Sequence, residues 1–234
     1  MSLADKLART EALLKDIAAK HGKVALANSF GAEDMVLTHL IATLKLPIGI
    51  FSLDTGRLPV ETYTLMQQVG ERYPAYPIRV YYPDASALEA YVNQNGINAF
   101  YNSVELRKSC CHIRKIEPLK RALSGLEGWI TGLRRQQSLT RVDLPEAEFD
   151  ADNGLMKYNP LLDWTEKEVW EYIRANDVPY NSLHDKHVPS IGCAPCTRPI
   201  AVGEDIRAGR WWWENPDSKE CGLHVKASPL KRPE

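Results

Sequence analysis

The stretch KVALANSFGAED, from Lys23 to Asp34, decides the fold. Its first half, residues 23–28, is apolar and short, bounded by Gly22 behind and a Ser-x-Gly turn ahead, which reads as a buried strand. Its second half opens a helix over residues 33–44. A buried strand that runs through a tight turn into a helix is the opening of a βα unit. The same figure recurs downstream. Residues 48–53 read as a second strand that ends in Asp54-Thr55-Gly56. A helix follows over 59–73, with Pro59 at an early position where its missing N–H is harmless. Residues 78–82 and 85–95 give a third strand and helix, 113–123 a further helix, and 129–131 a fourth strand. Strands that alternate with helices predict an α/β fold, a mostly parallel sheet covered on both faces.

Upstream, Leu3, Leu7, Leu14 and Ile17 recur at helical spacing, which predicts an amphipathic helix ended near Gly22. Charges interrupt every apolar run of this segment, so it does not read as a signal peptide. Downstream, residues 143–153 are acidic and without periodicity and read as a surface loop. Residues 158–161 read as an edge segment, and Thr165 to Glu168 as a capping box that opens a helix to about Ala175. From Val178 the pattern is irregular and rich in Pro, Gly and Trp. The expectation is one α/β domain over residues 1–213 and a flexible C-terminal tail over 214–234.

Composition bounds the partners. Hydrophobic residues make up 44% and charged residues 25% of the chain, ordinary values for a soluble globular protein. A net charge of −1 gives no general attraction to nucleic acid or an anionic membrane, so an anion site has to come from local cations. No apolar run approaches the roughly 20 residues of a membrane span. A cytoplasmic protein is the expectation, and in that reducing compartment clustered cysteines read as ligands or catalysts.

Ligands of open α/β sheets bind beyond the C-terminal ends of the strands. The Ser29–Asp34 turn lies at such an end, and its backbone N–H groups and the Ser29 hydroxyl are candidates to hold a phosphate. It is neither a Walker A sequence nor GxGxxG. Gly132-Leu133-Arg134-Arg135 occupies the equivalent place after the fourth strand, and two such turns predict a nucleotide crevice.

The chain has five cysteines. Cys110 and Cys111 are adjacent, Cys193 and Cys196 form a CxxC, and Cys221 stands alone. Four thiols in two close pairs can bind zinc or an iron–sulfur cluster. Adjacent cysteines are hard to place on one tetrahedral ion, whereas a cluster offers separate irons, so the pattern favours a cluster. Lys108, His112, Arg114 and Lys115 surround the first pair and argue against two merely buried apolar residues. Lys219 and His224 flank Cys221 and favour its reactive thiolate. Arg207 and Arg210, three apart, would share one face of a helix, and Arg134, Arg135 and Arg141 form a second basic group. Arginine suits fork-like binding of phosphate or sulfate, although an exposed helix face also carries such pairs. Trp211, Trp212 and Trp213 read as packing for the C-terminal segment.

Taken together, these segments resemble the assimilatory iron–sulfur adenylyl-sulfate (APS) reductases of the PAPS reductase family. The resemblance rests on SFGAED at 29–34, LDTGR at 53–57, CCHIRKIEPL at 110–119, TGLRR at 131–135, IGCAPCTRP at 191–199, GRWWW at 209–213 and ECGLH at 220–224. It implies an adenine-nucleotide α-hydrolase-like sheet and a [4Fe–4S] cluster on Cys110, Cys111, Cys193 and Cys196. It also implies Cys221 as the nucleophile that takes the sulfonate from APS, and thioredoxin or glutaredoxin as the external dithiol that releases sulfite, within sulfate assimilation and cysteine biosynthesis. Ser29, Leu53 and Gly132 would line the nucleotide site. Lys115, Arg141, Arg207 and Arg210 would meet the anionic groups, with Arg134 or Arg135 as alternatives to Arg141. A homo-oligomer is compatible with this reading. The competing readings are a PAPS or dual-substrate reductase, a PP-loop ATP pyrophosphatase of the tRNA-thiolation type, and a non-enzymatic zinc or redox-sensing module. PP-loop enzymes carry Ser-Gly-Gly-x-Asp-Ser where this chain has Ser-Phe-Gly-Ala-Glu-Asp.

Overall fold

The computed structural model describes residues 1–137 and 144–215. Helix α1 (Leu3–Lys20) begins at a capping box in which Ser2 Oγ accepts from Asp5 N and the Asp5 carboxylate accepts from Ser2 N. It buries Leu14 and Ile17. Strands β1 (Val24–Ala27), β2 (Gly49–Leu53) and β3 (Ile78–Tyr81) alternate with helices α2 (Ala32–Thr43), α3 (Val60–Arg72) and α4 (Ala85–Asn95). Helices α5 (Val104–Cys111) and α6 (Glu117–Leu123) are joined without a break by a π-helical turn over His112–Ile116. Strands β4 (Gly128–Ile130), β5 (Ala147–Asp150) and β6 (Leu155–Tyr158) complete the sheet, and α7 (Glu166–Ala175) follows.

The strand order is β3-β2-β1-β4-β6-β5, parallel throughout except for β5, which pairs antiparallel with β6 at the edge. Side chains of a strand alternate between faces, and here the alternation sorts two cores. Val24, Leu26, Ile50 and Ile130 enter the larger one with α1, α2, α3 and α7. Ala25, Phe51 and Trp129 enter a smaller one with Leu119, Ala122 and Leu123 of α6. Helices therefore cover both faces, as the alternating pattern predicts. The direction of connection reverses between β1 and β4, so the crevice of this sheet opens where those two strands end.

Four local expectations are corrected. The acidic stretch over 143–153 is not all loop, because residues 147–150 form edge strand β5. Its apolar Phe149 faces solvent, 64% exposed, while Glu148 turns inward to Lys157 at 3.4 Å. That inversion hides the strand from a hydrophobic pattern. The segment expected at 158–161 is interior strand β6, three residues earlier. The helix expected from residue 113 begins at Val104, where Ser103 Oγ caps it by accepting from Leu106 N at 3.2 Å. Both adjacent cysteines are thus helical. Arg207 and Arg210 lie in turns rather than on a helix, with Arg210 N bonded to Arg207 O at 2.9 Å. The capping box at Thr165 and Glu168 is present as expected.

Candidate active site

A cavity of about 290 Å³ lies at the C-terminal ends of β1, β2 and β4. The turn after β1 supplies Ser29, the end of β2 supplies Leu53, and the turn after β4 supplies Gly132. The π-helical turn supplies Lys115, and the irregular C-terminal segment supplies Arg207 and Arg210. Six of the seven residues expected to bind substrate therefore meet in one cavity. The seventh, Arg141, lies outside the described residues, as does Cys221. Of the two alternatives to Arg141, Arg134 lines the cavity, but its Nε is bonded to Glu33 Oε1 at 2.7 Å. Arg135 pairs with Asp163 at 3.1 Å and is absent from the cavity wall.

The Ser29 end carries a buried carboxylate inside the turn expected to hold an anion. Ser29 N donates to Asp34 Oδ2 at 2.7 Å, and Ser29 Oγ donates to the same oxygen at 2.6 Å. Phe30 N donates to Asn28 Oδ1 at 2.6 Å. Ser29 N and Oγ converge on one carboxylate oxygen, while Phe30 N is held by an amide oxygen. Phe30 takes a positive φ of 62° to make this compact turn. Asp34 also accepts from Gly132 N, so one buried side chain ties the β1 turn to the β4 turn. A Cβ on Gly132 would sit 2.4 Å from Asp34 Oδ1 and 2.8 Å from Glu33 Cβ, which explains the glycine. Burial pushes the Asp34 carboxyl up to about 6, against the bonds from Ser29 that pull it down.

The opposite end is cationic and borders the cysteines. Lys115 stands one helical turn past Cys111. Arg210 is buried, with Nη1 donating to Ile191 O at 3.1 Å and Nε to Cys196 O at 3.3 Å. Its guanidinium lies so close to Gly192 that a Cβ there would fall 2.2 Å from Nη2. The guanidinium carbons of Arg107 and Arg210 lie 4.7 and 4.6 Å from the centre of the Trp211 ring. Arg107 is itself held by a bidentate, buried pair with Glu214, at 2.8 Å in both arms. Of the three tryptophans, Trp211 is buried and packs the C-terminal segment onto the domain, while Trp212 is 39% exposed.

Cys193 and Cys196 are buried, and Cys110 packs against them with Phe100, Trp211 and Trp213. Cys111 follows on the same helix and receives a hydrogen bond from Arg107. Thr55 Oγ1 lies 3.2 Å from Cys193 Sγ. Burial raises the thiols of Cys110 and Cys196, the latter to about 12. Among the described residues no three His, Cys, Asp or Glu side chains gather closely enough to grip one metal ion. The donor set fits a larger body better, one with several iron atoms and sulfide acceptors. Two buried donors near the cysteines, Trp211 Nε1 and Arg114 Nε, have no hydrogen-bond partner among the described residues and are open to an acceptor.

Sequence reasoning missed Asp34, Thr55 and Gly192 as functional positions. The spacing of Ser29 and Asp34 across a Gly-containing turn was a readable signal for the first. The other two depend on contacts between segments more than 130 positions apart and about 18 apart in sequence, which carry no local mark.

The family model for the phosphoadenosine phosphosulfate reductase domain matches residues 23–199, which carry the sheet, all four clustered cysteines and the cavity wall except its C-terminal part with Arg207 and Arg210. The chain belongs to that family. Its relatives include the adenosine 5′-phosphosulfate reductase of Burkholderia cepacia, 58% identical over 95% of this chain and 89% of that protein. That of Allochromatium vinosum is 55% identical over 94% and 86%. The fold of this reductase family is seen in the phosphoadenylyl-sulfate reductase of Candida auris, solved as a phosphate complex. The TM-score is 0.70 at 27% identity, over 81% of this chain and 90% of that one. The FMN adenylyltransferase of Candida glabrata shares the fold at 12% identity and a TM-score of 0.61, over 99% of this chain and 77% of that one.

Proposed function

We propose that this oxidoreductase reduces adenylyl sulfate to sulfite and AMP, with Cys221 as the nucleophile. The observation that carries the reading is one cavity with two chemically opposite ends, the cationic one against the clustered cysteines. An adenylyl phosphosulfate is a molecule with two such ends. Its anionic anhydride fits Lys115, Arg207 and Arg210, and its nucleoside fits Ser29, Leu53 and Gly132.

The cations lower the energy of an anhydride that would otherwise repel an incoming thiolate. The Cys221 sulfur attacks the sulfate sulfur, an S–S bond forms, and the S–O bond to AMP breaks with its electron pair leaving on AMP. An S-sulfocysteine remains. With Cys110, Cys111, Cys193 and Cys196 engaged elsewhere, the chain has no fifth partner thiol, so an external dithiol is needed. Its first thiolate attacks Cys221, sulfite leaves, and its second thiol resolves the mixed disulfide. Two electrons pass from the dithiol to sulfur, which suits a thioredoxin or glutaredoxin in the cytosol. Cys110, Cys111, Cys193 and Cys196 would hold a [4Fe–4S] cluster, which supplies structural order and a local field when bound. The tail expected over 214–234 would present Cys221, with Glu214 at its root held in the domain by Arg107.

Homologues named for the 5′-phosphosulfate, at 53% identity and above, favour APS over its 3′-phosphorylated counterpart. The test is to mix the protein with APS without reductant and read intact mass. A single sulfonate on Cys221 is expected, lost as sulfite on adding thioredoxin or glutaredoxin. The Cys221→Ser protein should keep AMP binding and form no adduct. Normal sulfite production by that variant would sink the mechanism.

A further inference from the structure

Arg107 touches three parts of the molecule at once. It lies on α5, one helical turn ahead of the adjacent cysteines, and only 1% of its side chain is exposed. It donates to Cys111 on its own helix. Its Cζ lies 4.7 Å from the centre of the Trp211 ring, and Arg210 approaches the same ring at 4.6 Å. Its Nε and Nη2 donate to the two carboxylate oxygens of Glu214, each at 2.8 Å, and the Glu214 side chain is 4% exposed. The Glu214 backbone is fixed as well, because its N–H donates to Trp211 O at 2.9 Å. A buried ion pair stabilises a fold little more than apolar side chains of the same volume would, since desolvation offsets the attraction. Two parallel bonds to one guanidinium supply something apolar packing does not, which is a direction. The place of the pair in the chain gives that direction a use. Cys221 follows Glu214 by seven positions, and a chain of that length spans at most about 25 Å.

We infer that Arg107 and Glu214 are positioning residues for the proposed nucleophile, setting the point and the direction from which the chain leaves the domain towards Cys221. The inference rests on the reading of Cys221 as the group that attacks adenylyl sulfate. Attack by a tethered thiolate on a bound ligand is an intramolecular step, and its rate depends on how the tether is rooted. Here the root is held by the helix of Cys110 and Cys111 and by Trp211, which lines the cavity together with Arg210. It therefore stands beside the cationic end, where the anhydride is expected. Arg107 and Glu214 are themselves absent from the cavity wall, so any effect of theirs on the reaction is indirect. Tether length alone is a weak control. Rooted at the buried Trp211 instead of Glu214, the tether grows by three residues, which costs only about twofold in effective concentration. A larger loss on breaking the pair reports direction.

The experiment is single-turnover formation of the Cys221 sulfonate in the full-length protein, mixed with APS and no reductant and read by intact mass and peptide mapping. Two controls accompany it. One is calorimetric AMP affinity, and the other is the rate at which a small aromatic disulfide reacts with Cys221. Glu214→Gln removes the charge and turns one acceptor into a donor that faces the guanidinium. It should slow the sulfonate at least about tenfold, with AMP affinity and the disulfide rate within about twofold of wild type. Glu214→Asp keeps the charge on an arm one methylene shorter. It should slow the sulfonate by about threefold, and it carries the test if the glutamine protein does not fold. Wild-type sulfonate rates in the folded variants would overturn the inference. A merely structural pair predicts AMP affinity and sulfonate rate falling together, which would overturn it too. So would equal slowing towards the small disulfide, because the thiol itself would then have changed and not its placement. If the wild type forms no sulfonate on Cys221, it is the adenylyl-sulfate reading that fails, and the inference falls with it.

Discussion

The two ends of the cavity solve opposite problems with the same economy of charge. At the cysteine end, Arg210 is buried and tied to two backbone carbonyls, which hold a cation still. At the strand-end turn, Asp34 is buried and tied to backbone and side-chain donors of two different turns. Neutral dipoles take part in fixing each charged group. The lesson is that polarity in this site comes from burial as much as from the sign of the residues that line it. A row of cations on the surface would be screened within a Debye length of about 8–10 Å. A buried cation such as Arg210 is screened much less.

The comparison is broken most severely at the cationic end. Arg210→Ala removes a buried charge together with its bonds to Ile191 O and Cys196 O. The loss expected for a buried charge that serves an anionic ligand is on the order of 3–4 kcal/mol, or about a hundredfold to a thousandfold in kcat/KM for APS. Arg210→Lys keeps the charge and should recover part of it, but the fork that spans two carbonyls is lost. Steady-state kinetics of the two variants side by side decide this. If alanine and lysine are equally impaired, Arg210 acts through the CxxC loop and not through its charge.

The strand-end turn is probed by pH. Folding raises the Asp34 carboxyl from 3.8 to about 6, so the folded protein holds a proton that the unfolded chain releases earlier. The stability linked to this group is full below about pH 4 and is lost as pH rises through about 6, by roughly 3 kcal/mol at most. Glu33 on α2 and Arg134 after β4 face the same region. His184 carries the opposite sign. Burial lowers its pKa, so its contribution is present above about 6.5 and falls away at lower pH. Urea midpoints of wild type and Asp34→Asn across pH 4–8 isolate the Asp34 part. The wild type should lose stability relative to the variant as pH rises, and parallel curves would show that Asp34 does not titrate in this range.

These two ends were not equally legible. The cationic end was readable because its parts are chemically loud: a CC pair, a CxxC, and Lys and Arg close by. Six predicted contacts met in one cavity. Strand, turn and helix from residue 23 were legible because a fully buried strand and a capped helix have unlike periods. At the carboxylate end the spacing of Ser29 and Asp34 was a signal left unused. A Ser-x-Gly turn before a helix looks alike whether its donors face a ligand or its own aspartate, and the fold shows Ser29 donating to Asp34. Edge strand β5 was hidden for a different reason. Phe149 faces outward and Glu148 inward, so the hydrophobic pattern runs against the pleat.

The smallest effect should come from Gly132, where the two turns touch. An alanine Cβ would sit 2.4 Å from Asp34 Oδ1, 2.8 Å from Glu33 Cβ and 3.2 Å from Asp34 N. Neither Glu33 Cβ nor Asp34 N belongs to the mobile end of a side chain, so the β4 turn itself has to retreat from α2. The retreat stretches the Gly132 bond to Asp34 and loosens the hold on the Ser29 hydroxyl. Lys115, Arg207 and Arg210 come from other segments, the π-helical turn and the C-terminal segment, and should stay in place. Gly132→Ala should therefore weaken AMP by about tenfold, on the order of 1.4 kcal/mol. The contribution of the cationic end should be unchanged. Binding of AMP against adenosine in both proteins separates the two, since the difference between those ligands reports the phosphate alone. If Gly132→Ala changes that difference, the two ends are coupled through the turn, and the cavity behaves as one site with a single electrostatic character.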